Sequence, residues 1–500
     1  MRQKYFITYS HRFNPYMLNT DQLKANEVWG YFNEILAIPR ISKKEEKIVA
    51  YLINFAKKHK LSYKKDRVGN LLISKPATRG YEKHSGIILQ SHADMVGEKN
   101  ADVEHDFNKD PIKAYEEEGW VRASGTTLGA DDGIGIAASM AVLASDSIEH
   151  GPLECLFTID EESGMTGALG LQPGFLKGSV LLNLDSEDEG EIFIGCAGGM
   201  DTVASYKFKK RRIKRNWIAL LVKVGGLKGG HSGDEIHKGF GNSLKILNRF
   251  LWNADQRFKM RLARLEGGKA RNAIPRESEA LIMVPAGSLD LIRVYFESFV
   301  NILKADLELI EPDFDMTLEL TDLPEFNMRR KSQQRLFNAL YACPHGVVAM
   351  SQEIPGLVET STNLASIRHL GEDCLEIVTS QRSSVESAKQ DISDRMGALF
   401  SLMGAKVRHS DGYPGWKPDL SSEVLKVSER VYQELFHRSP DVKAIHAGLE
   451  CGLFLQKYPE LDMISFGPTI KGAHTPEERI KIDTVEKFWV FLLELLKQAP

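Results

Sequence analysis

Apolar residues recur at three- and four-residue spacing in "ANEVWGYFNEILAI" and "KKEEKIVAYLINFAKKH", which predicts two amphipathic helices between Asp21 and Lys60. The pattern then changes to short continuous apolar runs, "NLLIS", "GIILQ", "LECLFTI" and "SVLLNL", the lengths of buried strands. Between them lies "DGIGIAASMAVLAS", rich in helix formers. The same grammar returns near the end. "SSEVLKVSERVYQELF" reads as a helix, "DVKAIH" and "DMISF" as strands, and "TVEKFWVFLLELLKQ" as a closing helix. Strands alternating with helices predict an α/β fold built on a mainly parallel sheet.

The middle of the chain follows another pattern. From about Gly199 to Ser410 the strands are longer, the turns are Gly-rich, and helices such as "RVYFESFVNILKADLELI" stand alone. That predicts an inserted α+β domain, entered near "CAGGM" and left through the Gly/Pro-containing linker "HSDGYPGW". The expected organisation is a discontinuous domain of residues 21–199 plus 411–500, an insertion of 200–410, and an N-terminal extension, 1–20, with no assigned role.

Composition narrows the function classes. With 42% hydrophobic and 26% charged residues, the 500-residue chain can bury a large core. A formal net charge of −4 gives no whole-protein pull toward nucleic acid or an anionic membrane. The five cysteines are scattered, without a CxxC pair, which excludes a disulfide framework and a thiolate zinc motif and fits a reducing compartment. No apolar run approaches the ~20 residues of a membrane span, and the N-terminus lacks a signal peptide's continuous apolar segment. The expected location is the cytoplasm. One basic run, "KFKKRRIKR" (Lys207 to Arg215), reads as a solvated strand or turn rather than a nucleic-acid patch, since no aromatic platform accompanies it.

Candidate chemistry gathers at the ends of the predicted strands. "ILQSHADMVG" puts His92 and Asp94 on one face of a strand end, where a carboxylate can orient an imidazole. "TLGADDGIGIA" places Asp131 and Asp132 before a helix, as caps or as ligands. Its GxGxxA is not a dinucleotide fingerprint, because two carboxylates stand where a pyrophosphate would approach. "LFTIDEESG" ends a strand on Asp160, Glu161 and Glu162, either an acidic helix start or a metal site with its own base. Asp185 in "LLNLDSEDEGE" and His474 in "ISFGPTIKGAHTPEE" complete the set. Open α/β sheets gather ligands at the C-terminal ends of their strands. Three carboxylates with two imidazoles suit a pair of zinc ions, with manganese or cobalt as alternatives. One carboxylate can bridge two metals held roughly 3.5–4 Å apart.

These stretches, together with "GGHSGDEIHKGFGN", "RNAIPRES" and "HAGLECGLF", resemble the aminoacyl-histidine dipeptidases. Those belong to the di-zinc metallopeptidases that also include carnosinases, tripeptidase T and aminoacylases. The resemblance covers the chain from about residue 21 to its end. It implies a catalytic domain at 21–199 plus 411–500 and a lid, or dimerisation-type domain, at 200–410. It implies that His92 and Asp185 bind one zinc, Glu162 and His474 the other, and that Asp131 bridges them. Glu161 falls on the family's general base and Asp94 on the partner of the zinc-bound histidine, while Asp160 is left as a turn or cap residue. A cis peptide at Asp131–Asp132 is expected on the same ground. His231 is implied as the donor to the substrate's carbonyl or oxyanion. Asn363 and Arg382 are implied to grip the peptide's C-terminal carboxylate, and Glu450 to face its free amine. The implied activity is hydrolysis of Xaa-His and other dipeptides. An aminoacylase, a tripeptidase, a carboxypeptidase and a catalytically silent binding protein are the alternatives. The expected partners are a small peptide substrate and a second copy of the chain, with no nucleic acid and no membrane.

Overall fold

Two large sheets organise the chain, beside a four-stranded and a two-stranded one, and the large two differ in hydrogen bonding as the two apolar patterns do. In the computed structural model, residues 25–213 and 216–499 are described. The extension 1–20 and the last two positions of the basic run, 214 and 215, lie outside the described residues. The chain divides into two compact units. The first runs to Ile194 and continues over Asp419–Lys443 and from Leu453 onward; the second comprises Gly195–Pro418 and Ala444–Gly452. The sequence pattern put 411–500 wholly in one domain, whereas 444–452 packs with the second unit. The amide of Ala197 donates to the carbonyls of Ile445 and Ala447, and His446 pairs with Ser361 at 2.7 Å. Contacts this distant in sequence leave no trace in a periodicity.

The first unit is built on an eight-stranded sheet. At its centre, Leu153–Thr158, Ile87–His92, Val180–Asn183 and Asp462–Ser465 lie side by side, all parallel. Leu71–Lys75 and Ser62–Lys65 continue the sheet antiparallel on one flank. The two strands Leu153–Thr158 and Ile87–His92 are buried along their whole length, which explains apolar runs without alternation. Parallel alignment brings the four C-terminal ends to one edge of the sheet. Just beneath that edge the runs carry buried polar groups that satisfy one another. The Asn183 amide donates to Gln90 Oε1 and accepts from the Ser465 hydroxyl, and Gln90 Nε2 donates to Thr158 Oγ1 at 3.2 Å. The helix Ala130–Ala144 is buried almost all round against the sheet and the helix Asn26–Leu36, which accounts for its uniformly apolar sequence. No helix among the described residues is long and apolar enough to cross a membrane.

The second unit is α+β. Its nine-stranded sheet runs from Asp315–Thr321 at one edge to Lys406–His409 at the other, and its strand pairings are antiparallel. Helices Ser243–Phe258, Leu289–Leu307, Arg330–Ala342 and Glu386–Met403 share its apolar core, with Leu247, Phe250, Phe299, Phe337 and Phe400 buried among them. The Asn242 side chain caps the first of these helices, accepting from the amides of Leu244 and Lys245 at 3.0 and 3.2 Å.

Candidate metal centre and a second polar cluster

The candidate ligands of the first unit converge on two points: His92, Glu162 and Asp185 follow parallel strands of the large sheet, whereas Asp131 opens the helix Ala130–Ala144 and His474 follows the strand Ile470–Lys471 of a separate antiparallel sheet. His92 Nε2 lies 2.9 Å from Asp131 Oδ1 and 3.3 Å from Asp185 Oδ1. His474 Nε2 lies 3.2 Å from Asp131 Oδ2 and 2.8 Å from Glu162 Oε2. Asp131 thus offers one oxygen to each point. Around a tetrahedral zinc with bonds of about 2.0–2.1 Å, ligand atoms stand roughly 3.3 Å apart, so these spacings are those of ligands. The other Glu162 oxygen, Oε1, is buried without a hydrogen-bond partner. Three carboxylates facing two imidazoles form a negative excess that two divalent cations would neutralise. The residues fit a pair of such ions.

The electrostatics press the same way. Asp131 and Glu162 raise His474 to about 11 against the effect of burial. Burial alone would lower His92, but Asp185, Asp131 and Asp94 raise it well above its ordinary value. Burial raises the Asp185 carboxyl, with Asp131 adding to the rise and His92 opposing it. Glu187, two residues on, rises to about 8 through burial and the charges of Asp131 and Asp185.

Local structure explains how neighbouring acids take different parts. The Asp131–Asp132 peptide is cis, and both residues leave helical geometry at the start of Ala130–Ala144. Asp131 turns to the imidazoles, while the Asp132 carboxylate accepts from the Gly135 amide at 3.1 Å. The capping and ligand readings of this stretch are therefore both present, on adjacent residues. Gly135 is required here: a Cβ would come within 2.3 Å of Asp132 Oδ1. Gly129 takes the left-handed φ of 72° that opens the turn. Asp160 accepts from the hydroxyls of Thr166, at 2.6 Å, and Ser163, and so holds the turn into the short helix Glu161–Gly164. Asp94 receives the amides of Glu161 and Glu162 at 3.0 and 3.2 Å and the Ser42 hydroxyl at 2.8 Å. It also stands 3.4 Å from His92 Nδ1, an approach of opposite charges without good hydrogen-bond alignment. Burial would raise Asp94, but His92 and these donors outweigh it and hold the carboxyl at about 2.

Three supports were not read from the sequence. Buried Arg40 donates to the carbonyls of Ala93, Asp94 and Gly129, tying the His92 strand end to the Asp131 turn. Buried Glu478 accepts the amides of Leu128, Gly129, Ala130 and Asp131 at 2.8, 2.9, 2.7 and 3.3 Å. It lies four residues after His474, so one loop supplies a ligand and clamps another. Glu45 holds the amides of Lys43 and Asp160 at 2.6 and 3.1 Å. None of the three shows a local signal, because their partners are backbone groups distant in sequence or in an irregular turn.

The remaining candidates lie in the second unit. His231 Nδ1 is 3.1 Å from Asp234 Oδ2, and the His231 amide donates to Glu235 at 2.8 Å. Asn363 Nδ2 donates to the carbonyl of Ala273, which forms a β-bridge with His231. Buried Arg382 donates to the Tyr413 hydroxyl at 3.0 Å. Glu450 is buried at the start of the helix Glu450–Lys457. His446, absent from the sequence reading, joins this group: burial first, then the charge of Arg382, lowers it to about 3.

Three parallel strand ends supply His92, Glu162 and Asp185, a helix start supplies Asp131 and a loop supplies His474; three carboxylates and two imidazoles focused on two points define a metal-dependent hydrolase site of the two-ion kind. The chain belongs to peptidase family M20/M25/M40, whose family profile matches residues 88–498. It is 42% identical over 484 residues to the cytosol non-specific dipeptidase of Escherichia coli K12, covering 97% of this chain and 100% of the relative. The crystal structure of an aminoacylhistidine dipeptidase from Vibrio alginolyticus superposes with a TM-score of 0.88 at 43% identity, over 97% of this chain and 98% of the other. A tripeptidase from Staphylococcus aureus shares the fold, with a TM-score of 0.56 at 16% identity over 95% of this chain and 98% of that one.

Proposed function

We propose that this peptidase is a cytoplasmic dipeptidase that uses two zinc ions to hydrolyse Xaa-His and other dipeptides. The observation that carries the reading is Asp131, whose two oxygens each meet a different imidazole, each of which meets a further carboxylate. Similarity over nearly the whole chain to two proteins named as dipeptidases supports the substrate class. His92 and Asp185 would hold one ion, Glu162 and His474 the other, with Asp131 shared. A metal pair bound there would supply Lewis acidity, making a water more acidic and polarising a peptide carbonyl. Glu161, fixed in its turn by the Asp94 carboxylate, takes a proton from the attacking water and returns it to the departing amine. Asp94 orients His92. His231, Asn363, Arg382 and Glu450 are assigned to substrate contacts, the Arg382 guanidinium being suited to a carboxylate.

The test pairs metal quantification with a substrate panel of dipeptides including Xaa-His and carnosine, tripeptides and acyl-amino acids. Two equivalents of zinc and a preference for dipeptides are expected. Preference for tripeptides or acyl-amino acids, or full activity without metal, overturns the reading. Asp131→Ala should lose bound metal. A homodimer is part of the proposal. Leu291, Val294 and Ile302 form an exposed apolar face on the helix Leu289–Leu307, and Leu320 is exposed on the edge strand Asp315–Thr321. A monomeric mass by light scattering would remove it.

A further inference from the structure

The basic run, read from the sequence as a solvated strand or turn, meets a second one in the fold. Strand Lys210–Arg212 pairs antiparallel with Phe326–Met328, which leads directly into Arg329, Arg330 and Lys331 at the start of the helix Arg330–Ala342. Lys207, Lys209 and Arg211 share one face of the extended chain at i, i+2 and i+4. These two groups, with Arg261 and Arg335, line one cavity of about 740 Å³ that no carboxylate lines.

The alternation along the strand separates two kinds of cation. Lys210 and Arg212 are partnered: Lys210 pairs with Glu372, Arg212 stands 4.0 Å from Glu325, and both lie over the Phe326 ring. Among the described residues, none of the eight cations lining the cavity has an acidic partner within 4.0 Å. Arg261 is lowered by burial, Asp255 opposes the shift, and the charges of Arg330 and Arg211 add to it. Asp255 itself is buried on Gln333 Nε2 at 2.8 Å. The helix start compounds the imbalance. Its amides favour negative charge, yet its first turn holds no acid, no side chain caps it, and cations occupy the cap and the first two positions. A merely solvated face would scatter its cations or pair them. Here a chain of net charge −4 concentrates eight of them around one concavity.

We propose that this cavity binds a compact anion carrying several phosphate groups. Its size is that of a small-ligand site. An extended nucleic-acid strand fits less well, because such sites stack bases on aromatic faces and Phe326 is taken by Lys210 and Arg212.

The test is calorimetric titration of the full-length, metal-loaded protein with inorganic tripolyphosphate at low and raised salt. Binding that weakens with salt is expected. The double variant Arg211→Gln/Arg330→Gln should lose roughly tenfold or more in affinity while hydrolysing dipeptides at the parental rate. Lys210→Gln/Arg212→Gln, on the paired face, should bind as the parent does. Any tripolyphosphate held at the metal centre is common to all three proteins, so the difference reports the cavity. Absence of binding, undiminished binding in the first variant, or equal losses in both variants overturns the proposal. An oligo-dT strand that outcompetes tripolyphosphate through Arg211 and Arg330 also overturns it, assigning the site to nucleic acid.

Discussion

The two units treat the same side chain in opposite ways. In the first, carboxylates surround His474 and hold it at about 11. In the second, His446 is buried, with Arg382 acting against its charge, and stays neutral down to about 3. An imidazole among excess carboxylates marks a place built to receive cations. An imidazole kept neutral while bonded to Ser361 is built to pass or accept a hydrogen bond without carrying charge. Burial opposes the charge of both residues; at His446 it is the largest cause and Arg382 adds to it, whereas at His474 the carboxylates of Asp131 and Glu162 outweigh it.

That contrast can be broken at several points. The largest effect is expected from Glu161→Gln, which should keep both metals by elemental analysis yet lose about 10²–10⁴-fold in kcat. An active variant would remove Glu161 as the base. Arg40→Met removes a buried cation from three carbonyls at once and should cost about 3 kcal/mol of unfolding free energy, read from denaturant titration. A cost within experimental scatter would mean that the two loops hold without it. Glu478→Gln replaces the carboxylate that receives four amides of the Asp131 turn, and should weaken metal affinity roughly 10–100-fold with the fold retained. Competition with a chelator measures it, and unchanged affinity would show the turn to be self-supporting.

The last effect belongs to the second unit and is read as a slope against pH. Since the folded His446 lies below its unfolded value of 6.5, its contribution to stability is complete above that pH. It is lost as pH falls toward about 3, because the unfolded chain takes up the proton first. His446→Gln should flatten the stability profile in that window by up to about 1.4 kcal/mol per pH unit. Urea melts at several pH values would show parallel slopes for parent and variant if His446 were exposed to solvent.

Much of the first unit was legible in the sequence. Strands buried along their full length are dominated by apolar residues without alternation, so "GIILQ" and "LECLFT" announce themselves, and the polar residues that end them stand out by contrast. In "LFTIDEESG" the run of acids was visible, but their division of labour was not. Asp160 turns back to hydroxyls, the amides of Glu161 and Glu162 are gripped by Asp94, and the Glu162 carboxylate meets His474. Those directions depend on a left-handed residue at Asp160 and on a partner loop 67 residues away. The basic cavity was half legible, since "KFKKRR" was plain while its meeting with Arg329–Lys331 depends on strand pairing.

By itself, the sequence determined the alternation of elements, the placement of His92, Glu162 and Asp185 at or just after strand ends, and through its motifs the peptidase family. It could do so because burial and strand periodicity act on neighbouring residues. Only the tertiary structure decided which oxygen of Asp131 faces which imidazole, that Arg40 and Glu478 clamp the turn behind it, and that 444–452 belongs to the second unit. Each of those rests on hydrogen bonds and charges between residues tens to hundreds of positions apart, and such pairings are written in the fold rather than in any local pattern.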